Sequence, residues 1–316
     1  MAGDVSYSSL DEELFDGAGV TKGALVEYLE GIADRLLPGL AGRALSVIRA
    51  RPGQPPFMQK NLPKHAPAWI ERAPIWAEAS QRMVDYPVCG DLRTLQWFAN
   101  QRAVEYHPSL ARLADPKHGH ELVLDIDPPE GSDFGVAVAA ARLVRSALRD
   151  VGLDGAVKTS GAKGLHVVVP IEPTIHHDAA AATRAIAERA AALDPEIATT
   201  AYIKADRGGR VFVDSTRSGW ATVVAAYSPR ARPGVPVSFP LGWDELDGVA
   251  PGDVTVLNAL DRLGDRDPWA DALPGPVPIP TVLLEEGHEI PIPRVAAMHE
   301  GRRRRRAAAK DAADGG

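Results

Sequence analysis

The chain of 316 residues is long enough for two compact subdomains, each with its own core. With 45% hydrophobic and 24% charged residues it has the composition of a soluble globular protein, and no apolar run approaches the length of a membrane span. The single cysteine, Cys89, excludes an internal disulfide and a multi-cysteine zinc site, while the net charge of −7 argues against a uniformly basic nucleic-acid coat but permits a local basic groove.

The first part of the chain has two helical patterns separated by an irregular segment. Thr21 is placed to cap a helix whose apolar residues recur every three or four positions, at Leu25, Tyr28, Leu29, Ile32 and Leu36. A second pattern predicts a helix that ends at His107-Pro108 and runs through Leu92, Leu95, Ala99, Ala103 and Tyr106. The segment 49–67 between them is basic and rich in proline, which predicts an exposed loop.

From residue 121 the pattern alternates between strands and helices. The predicted elements are a strand at 121–127, a helix at about 133–150, a hairpin of strands 155–160 and 165–171, an alanine-rich helix capped by Asp178 and running to about 193, and a strand at 210–214. This order of strand, helix, strand, strand, helix and strand is that of the split βαβ arrangement. Further strands are predicted at 221–227 and 235–239, and the pattern fades after about residue 285.

Two carboxylates stand one residue apart at the end of the strand ELVLDID (121–127), which Pro128-Pro129 terminates. Side chains alternate along a strand, so Asp125 and Asp127 face the same way and repel each other unless water or a cation lies between them. If the strand that ends at Asp214 lies nearby, a third carboxylate joins them. Three carboxylates suit one or two hard divalent ions. Asp-x-Asp pairs also occur in phosphatases, in glycosyltransferases and in surface loops.

The segment KTSGAKGLHVVV (158–169) forms the turn of the predicted hairpin. Gly161 and Gly164 permit positive φ and let the turn present backbone N–H groups to an anion, and Ser160, Lys163 and His166 add a hydroxyl, an ammonium and an imidazole. The spacing is not that of the P-loop, and glycine-rich hairpin turns also occur for structural reasons alone. Carboxylates and a phosphate-friendly turn in one predicted sheet favour a site for phosphate chemistry.

The stretch KADR (204–207) nearly matches the Lys-x-Asp-Gly motif of nucleotidyl-transferring ligases. Arginine replaces the required glycine, so the stretch is not interpreted as a covalent lysine site. We interpret Lys204, Arg207 and Arg210 as a basic rim, with a solvated surface as the alternative.

Together these segments resemble the polymerase domain of bacterial ligase D, a branch of the archaeo-eukaryotic primase superfamily. The matching pieces occur in the family's order and are GVTKGALVEY (19–28), QKNLPKHAP (59–67), DLRTLQWFANQRAVEYHPSL (91–110), LVLDIDPPEG (122–131), KTSGAKGLHVVVP (158–170), RGGRVFVD (207–214) and TVVAAYSPRARPGVPVS (222–238). The resemblance implies an α+β, primase-like fold of two subdomains, in which a split βαβ (RRM-like) catalytic sheet packs against an N-terminal α/β subdomain.

The resemblance also implies where these parts begin and end. The N-terminal α/β subdomain would comprise residues 15–110 and the catalytic primase-polymerase subdomain 111–290. Composition, and not the resemblance, predicts a disordered basic tail at 291–316. The tail contains the arginine run at 302–306, for which a weak nucleic-acid contact is the alternative reading.

Roles for individual side chains follow from the same resemblance. Asp125, Asp127 and Asp214 would be catalytic and would bind two divalent ions, Mn²⁺ or Mg²⁺, while a primer 3′-hydroxyl attacks the α-phosphate of a template-paired nucleotide. The residues implied in nucleotide binding are Ser160, Lys163, His166, His107, Arg230 and Arg232. The residues implied in nucleic-acid binding are Lys22, Lys60, Lys64 and Phe57. Relatives that prefer ribonucleotides need a site for the 2′-hydroxyl.

The sequence departs from the family pattern in three places. SLDEELF (9–15) is acidic where the family commonly has an Asn-Pro-Asp-Lys stretch that grips a downstream 5′-phosphate, so we expect only a modest effect of that phosphate. The loop before QK is short and keeps only Phe57 to stack on a base, beside Met58. The polar Gln-Asn pair usual after the third aspartate is replaced by STRS (215–218).

The predicted function is that of a stand-alone primase-polymerase that fills short gaps in DNA during repair, with DNA and NTPs or dNTPs as partners. No segment predicts a ligase or phosphoesterase module, so the chain is expected to act alone, as a monomer, or to recruit a separate ligase or other repair proteins. The N-terminus lacks a basic region followed by an apolar one, which predicts a cytoplasmic, nucleoid-associated protein without a membrane partner. The alternatives are a catalytically reduced DNA-binding or repair-partner module of the same fold, a phosphatase with Asp125 as nucleophile, and primer synthesis on unprimed template.

Overall fold

A six-stranded sheet, a three-stranded sheet and a two-stranded hairpin organise the part of the chain that the computed structural model describes, residues 5–78 and 81–292. The helices there are α1 (Lys22–Gly31), α2 (Ala33–Leu40), α3 (Leu92–Asn100), α4 (Phe134–Asp150), α5 (His176–Leu193), α6 (Ala259–Leu263), α7 (Pro268–Ala272) and α8 (Thr281–Glu289). The strands are β1 (Arg43–Arg51), β2 (Gln54–Gln59), β3 (Arg72–Ala77), β4 (Arg82–Pro87), β5 (Ala103–Arg112), β6 (His118–Asp127), β7 (Ala156–Thr159), β8 (Leu165–Ile175), β9 (Ala198–Thr199), β10 (Val211–Asp214) and β11 (Pro240–Leu241).

The six-stranded sheet has the strand order β11-β7-β8-β6-β10-β9. Its four central strands pair antiparallel, α4 connects β6 to β7, and α5 with the short β9 leads from β8 to β10. This is the split βαβ arrangement that the sequence predicts. The α+β, primase-like fold class is therefore confirmed.

One face of this sheet is covered by helices and the other carries polar residues. Asp133 caps α4 at the start of the predicted helix, where its Oδ1 accepts from the Gly135 N–H at 2.7 Å. Leu122, Leu124 and Ile126 of β6 are buried in the core with apolar side chains of α4 and α5. Because side chains alternate along a strand, the aspartates of β6 point to the opposite face.

The three-stranded sheet has the order β2-β1-β5 and packs with α1, α2 and α3. Thr21 caps α1 as predicted, since its Oγ1 accepts from the Ala24 N–H at 3.2 Å. Most buried apolar side chains of both sheets belong to one hydrophobic cluster, in which the Tyr28 hydroxyl donates to the Tyr227 carbonyl at 2.7 Å. The predicted subdomain boundary at residue 110 falls inside β5, and the division into two subdomains stays a prediction.

The predicted helix through Leu92 and Tyr106 is wrong in its second half. Asp91 caps α3, but the helix ends at Asn100 and Arg102 adopts a left-handed φ of 59°. The residues after it form β5, which pairs antiparallel with β1. Tertiary pairing outweighs the helical spacing here, and Val104 and Tyr106 are residue types that suit a strand.

Two further segments differ from their predictions. The predicted loop 49–67 contains the end of β1 and all of β2, which form a hairpin with Ile48 opposite Met58. Pro55 and Pro56 are tolerated there because β2 is an edge strand. The strands predicted at 221–227 and 235–239 are absent from the described structure, where these segments form only isolated bridges, such as Ser109 with Thr222 and Pro229 with Val237.

The C-terminal part of the described chain corrects two smaller predictions. Asp178 lies in the first turn of α5, which begins at His176, so Asp178 does not cap the helix; its charge still favours the positive helix end. A helix, α8, is present where the pattern fades after about residue 285. The predicted basic tail lies outside the described residues from 293 onward. Among the described helices, none has the length and apolar character needed to cross a bilayer.

Candidate active site

A row of four polar side chains crosses the six-stranded sheet on the face opposite α4 and α5. The strand register places Lys158 opposite His166, His166 opposite Asp125, and Asp125 opposite Asp214. Directly opposed residues on neighbouring strands have their side chains on the same face. The sheet therefore brings the two aspartates, predicted from separate chain segments, side by side.

Asp127 lies two residues beyond Asp125 on β6 and faces the same way. Its Oδ1 is 2.9 Å from Lys163 Nζ, and its Oδ2 is 3.1 Å from Arg207 Nη1. Arg207 also stacks on the ring of Phe212, which lies opposite Asp127 in the register. The predicted basic rim thus contributes one arginine directly to the acidic site.

Arg217 bridges the other two carboxylates. Its Nη2 is 3.3 Å from an oxygen of Asp125 and 3.5 Å from an oxygen of Asp214. Burial of Asp125 opposes its ionisation, but His166 and Arg217 outweigh that effect and lower its pKa to about 2. Asp125 is thus ionised at neutral pH, and positive groups of the chain itself lie against each of the three carboxylates.

The chemistry of these three carboxylates suits hard divalent cations. The donor set is all oxygen, as Mg²⁺ and Mn²⁺ prefer, and the guanidinium of Arg217 shows that a positive group is accommodated between Asp125 and Asp214. The side chains of Arg217 and Lys163 are 40% and 41% exposed, so both can turn toward solvent when a metal ion binds.

Lys158 is buried and supports this row from one end. Its Nζ lies 2.8 Å from His166 Nδ1 and 2.6 Å from Ser238 Oγ, and His166 Nε2 lies 3.4 Å from Asp125 Oδ1. A lysine ammonium that donates to Nδ1 leaves the proton of a neutral imidazole on Nε2, directed at the carboxylate. Burial first, and Lys158 second, lower the pKa of His166 to about 4, which keeps the ring neutral.

The glycine turn fits closely against the end of β6. Gly161 has a φ of 64°, and a Cβ on Gly164 would overlap the carbonyl oxygen of Ile126, so both positions require glycine. Ser160 Oγ accepts from the backbone N–H groups of Ala162 and Gly164 at 3.2 and 3.1 Å. Two of the N–H groups expected to face an anion are therefore engaged by Ser160.

A second cluster, from β5 and the segment after Tyr227, closes the site. Glu105 accepts from His107 Nε2 at 2.7 Å, lies 3.1 Å from Arg230 Nε, and accepts from the Ala231 N–H at 2.8 Å. Arg230 also donates to the carbonyl of Ser160. Burial opposes the ionisation of Glu105, but the His107 and Arg230 contacts outweigh it and lower its pKa to about 2.

Many of these groups line a cavity of about 320 Å³ between the two sheets, but Asp214, Lys158 and Glu105 are not part of its lining. Its lining contains seven of the predicted site residues, Asp125, Asp127, Ser160, Lys163, His166, His107 and Arg230, together with Arg217 and Met58. A larger, mostly apolar cavity of about 530 Å³ shares Val223 and Val224 with it but contains none of the three aspartates. The smaller cavity is therefore the candidate active site.

Comparison with known proteins agrees with this arrangement. The sequence model of the family described as "LigD, primase-polymerase domain" matches residues 21–269, which is most of the chain. The chain belongs to the LigD primase-polymerase family. The enzyme class predicted from the sequence, a nucleotidyltransferase of the primase-polymerase type, is thereby confirmed.

Several members of the LigD family are similar over most of this chain. "Multifunctional non-homologous end joining DNA repair protein LigD" of Mycobacterium tuberculosis (strain ATCC 25618 / H37Rv) is 33% identical over 287 residues, or 87% of this chain and 38% of that protein. "Bifunctional non-homologous end joining protein LigD" of Bacillus subtilis (strain 168) is 31% identical over 265 residues, or 82% of this chain and 42% of that protein. The chain thus spans about two fifths of the length of these relatives.

A solved structure shows the same fold. The polymerase domain of Mycobacterium tuberculosis ligase D, in complex with DNA, superposes with a TM-score of 0.77 at 33% identity. The match covers 85% of this chain and 99% of that chain. The similarity therefore includes the sheet that carries the aspartates.

Some residues predicted from the LigD resemblance lie away from the cavity. Lys60, Lys64 and Arg232 are exposed, and none of the three lines the cavity. Phe57 is half-buried, with Arg51 and Arg49 at 4.7 and 5.7 Å from its ring, while its neighbour Met58 reaches the cavity.

Lys22, which is predicted to contact nucleic acid, lies away from the cavity. Its side chain is buried, and its Nζ donates to the Ser8 carbonyl at 2.5 Å and to Asn100 Oδ1 at 2.6 Å. Glu12, in the acidic stretch that departs from the LigD pattern, pairs with Arg102 beside it. The Lys22 amine is engaged by Ser8 and Asn100, and its contact with DNA stays a prediction.

Four residues that contact the predicted site side chains received no role from the sequence: Glu105, Lys158, Arg217 and Ser238. Glu105 stands two residues before His107 in an alternating strand, which is the only local signal of its position. Arg217 lies in the stretch that departs from the family pattern, so the resemblance gave no role for it.

Proposed function

We propose that this chain adds nucleotides from NTPs or dNTPs to a primer 3′-hydroxyl opposite a template strand, and that it fills short gaps during the joining of broken DNA ends. The observation that carries the proposal is the cross-strand pair of Asp125 and Asp214, with Asp127 on the same face, beside a cavity that Asp125, Asp127 and basic residues line. The names of the relatives support the end-joining context, since each is a non-homologous end joining LigD protein.

Asp125, Asp127 and Asp214 would hold two divalent ions, Mn²⁺ or Mg²⁺. When bound, such ions activate the attacking hydroxyl and stabilise the leaving pyrophosphate. His166 holds Asp125 through its Nε2–H, so we assign it to orientation of the carboxylate and not to direct contact with phosphate. The exposed fraction of His166 is 5%, which supports that assignment.

The basic groups of the cavity would bind the triphosphate. Lys163 and Arg217 are the two whose side chains are partly exposed, and each can exchange its carboxylate partner for a phosphate oxygen. Arg230 and His107 are held in fixed positions by Glu105, from the side of the cavity formed by β5. Preorganised positive groups of this kind stabilise charge that develops on the leaving pyrophosphate.

Template and primer DNA would lie along the exposed basic residues near the cavity. The related polymerase domain from Mycobacterium tuberculosis is a complex with DNA, and Lys60, Lys64 and Arg232 are exposed in this chain. Such contacts to phosphates are independent of base sequence and weaken as salt concentration rises.

Primer extension on a gapped DNA in the presence of Mn²⁺ tests the proposal. We expect the wild-type chain to extend the primer and the double variant Asp125→Ala, Asp127→Ala to lose detectable extension, because the cation site loses two of its three carboxylates. Asp261→Ala, which removes an exposed carboxylate of α6, is the matched control and should extend normally. Equal extension by the double variant and the wild type would refute the proposal.

A further inference from the structure

A second group of metal-ligating side chains lies at the opposite end of the β8 strand from the active-site row. His177 and Asp178 belong to the first turn of α5, and His288 to the last turn of α8. One ligand atom from each of the three lies within 4.8 Å of the others. From His166 the strand runs to Ile175, roughly 30 Å at about 3.3 Å per residue, so this group is separate from the proposed polymerase site.

The packing of α5 against α8 fixes these positions. A Cβ on Gly287 would overlap the carbonyl oxygen of Ala181, which shows how closely the two helices approach. Arg184 donates to the Gly287 carbonyl at 2.9 Å, and Arg189 makes two bonds of 2.7 Å to the Glu286 carboxylate. Because the register of the helices is set by these contacts, His288 is held opposite the start of α5.

The geometry within the group suits a borderline-soft divalent ion. His288 Nε2 and His177 Nδ1 lie 2.8 and 3.8 Å from the same carboxylate oxygen of Asp178. In a tetrahedral zinc site with bonds of about 2.1 Å, neighbouring ligand atoms are about 3.4 Å apart, so small side-chain movements suffice. The two imidazole rings lie 4.6 Å apart, and the exposure of His177 leaves room for water to complete the coordination.

The hydrogen bond between Asp178 and His288 explains the positions of these two side chains. It does not explain the position of the His177 ring. Within residues 5–78 and 81–292, the side chain of His177 makes no hydrogen bond, yet its ring lies over His288 beside the shared carboxylate. Two imidazoles and one carboxylate from two helices form a donor set typical of Zn²⁺, in contrast to the three carboxylates of the polymerase site.

We propose that His177, Asp178 and His288 bind one Zn²⁺-class ion that joins the start of α5 to the end of α8. The ion fastens the last helix of the described chain to α5, which packs on the catalytic sheet. Nucleotide transfer does not require it, because none of its ligands reaches the cavity that holds Asp125.

Calorimetric titration of Zn²⁺ into the full chain tests this site, with Mg²⁺ in excess to compete for the all-carboxylate site. We expect one Zn²⁺ to bind the wild type and to raise its Tm, since a ligand that binds only the folded state stabilises it. His288→Gln removes the imidazole but keeps an N–H donor for Asp178, so the fold is retained. We expect the affinity of this variant for Zn²⁺ to fall by about tenfold or by a larger factor. Its Tm should not rise when Zn²⁺ is added.

Two further variants complete the test. His65→Ala removes an exposed histidine outside the group and should bind Zn²⁺ like the wild type. Asp178→Asn removes a ligand, so its affinity for Zn²⁺ should fall as it does in His288→Gln. Equal Zn²⁺ affinity in the wild type and in His288→Gln would overturn the proposal, as would a wild-type Tm that does not respond to Zn²⁺. Primer extension by His288→Gln in Mg²⁺ should equal that of the wild type, so failure of this site and failure of the polymerase proposal are distinguishable.

Discussion

Asp125 is held by a chain of three other side chains. Ser238 and His166 both bond to the buried amine of Lys158, and His166 in turn contacts the carboxylate. Burial first, and nearby Arg230 second, lower the pKa of Lys158 well below its ordinary value. A lysine placed so unfavourably adds little to stability, but it fixes the imidazole in the orientation that serves Asp125.

Lys158→Met should separate this orienting role from a structural one. Methionine fills the same space without charge, so we expect the free energy of unfolding to change by no more than about 1 kcal/mol. Loss of the donor to His166 Nδ1 should lower kcat/KM for primer extension by about tenfold to a hundredfold. Steady-state extension kinetics and urea unfolding measure the two quantities. Full activity, or activity lost together with folding, would contradict the orienting role.

Arg217→Ala should make the acidic site a better cation site. The guanidinium competes with any ion for Asp125 and Asp214, so its removal should raise the affinity for Mn²⁺ in the absence of nucleotide. Electron paramagnetic resonance of free Mn²⁺ measures this binding. Arg142→Ala removes an exposed arginine that pairs with Asp247 and should leave the affinity unchanged. An affinity that falls in Arg217→Ala would show that the guanidinium does not compete.

The sequence predicted the residues whose role is visible in a short motif. It did not predict the residues whose role depends on a contact with a distant partner. Asp125, Asp127 and Ser160 lie in short motifs whose spacing itself indicates the chemistry. Glu105 and Arg230 acquire their roles only by meeting across 125 positions of chain, a contact that no local pattern contains. Lys22 carried a motif-based prediction, and the fold buried it under the N-terminal segment.

At the scale of elements, the turn between β7 and β8 is the most constrained part of the site. Gly164 has no space for a side chain because β6 ends against it, and Gly161 is held in a left-handed conformation beside the backbone of Ser238. The turn therefore sets the distance between the glycine segment and the carboxylates of β6.

Gly164→Ala should be strongly destabilising. The new methyl group would overlap the Ile126 carbonyl, and moving backbone to relieve that overlap should cost about 3 kcal/mol. Gly39→Ala is the matched control, because Gly39 lies in α2 with open space around its Cα and an ordinary φ. The control should stabilise the protein by about 0.5–1 kcal/mol. Urea unfolding measures both, and a cost in Gly164→Ala no larger than in the control would refute the packing argument.

Elements with a strong alternating or helical period were predictable, and elements defined by distant pairing were not. The split βαβ order follows from residues 121–214 alone, where each strand and helix has its own period. The segment after Asn100 has helical spacing, but Arg102 ends the helix and β1 provides a strand partner. The segments 221–227 and 235–239 have strand composition, yet they cross other strands at single bridges only.

At the scale of the whole molecule, Glu105 connects the two sheets. It belongs to β5 of the three-stranded sheet, while Arg230 and Ala231 belong to the segment that reaches the turn at Ser160. The same segment accepts a hydrogen bond from Tyr28 at the Tyr227 carbonyl. The contacts of the Glu105 carboxylate therefore help to fix the distance between β5 and the segment that contains Arg230 and Ala231.

Glu105→Gln should destabilise the protein in a pH-dependent way. The folded-state pKa of Glu105 falls from its ordinary value of 4.5 to about 2, so its ionised form contributes stability above pH 4.5 that is lost as the pH falls toward 2. We expect the substitution to cost roughly 3 kcal/mol at pH 7 and progressively less below pH 4.5. Urea unfolding over this pH range measures the difference.

Glu196→Gln, which removes an exposed carboxylate, is the control for that experiment and should change stability little at any pH. A difference between the wild type and Glu105→Gln that stays constant with pH would show that the carboxylate is not held in its ionised form.

The cross-strand register of the sheet has a consequence for insertions and deletions. A shift of one position in the β7–β8 or β8–β6 pairing would turn Lys158 or His166 toward the helices and away from Asp125. The number of residues between 158 and 166 is therefore as important to the chemistry as their identity. Chimeras assembled from homologous domains will tolerate swapped side chains in this hairpin more readily than a changed residue count.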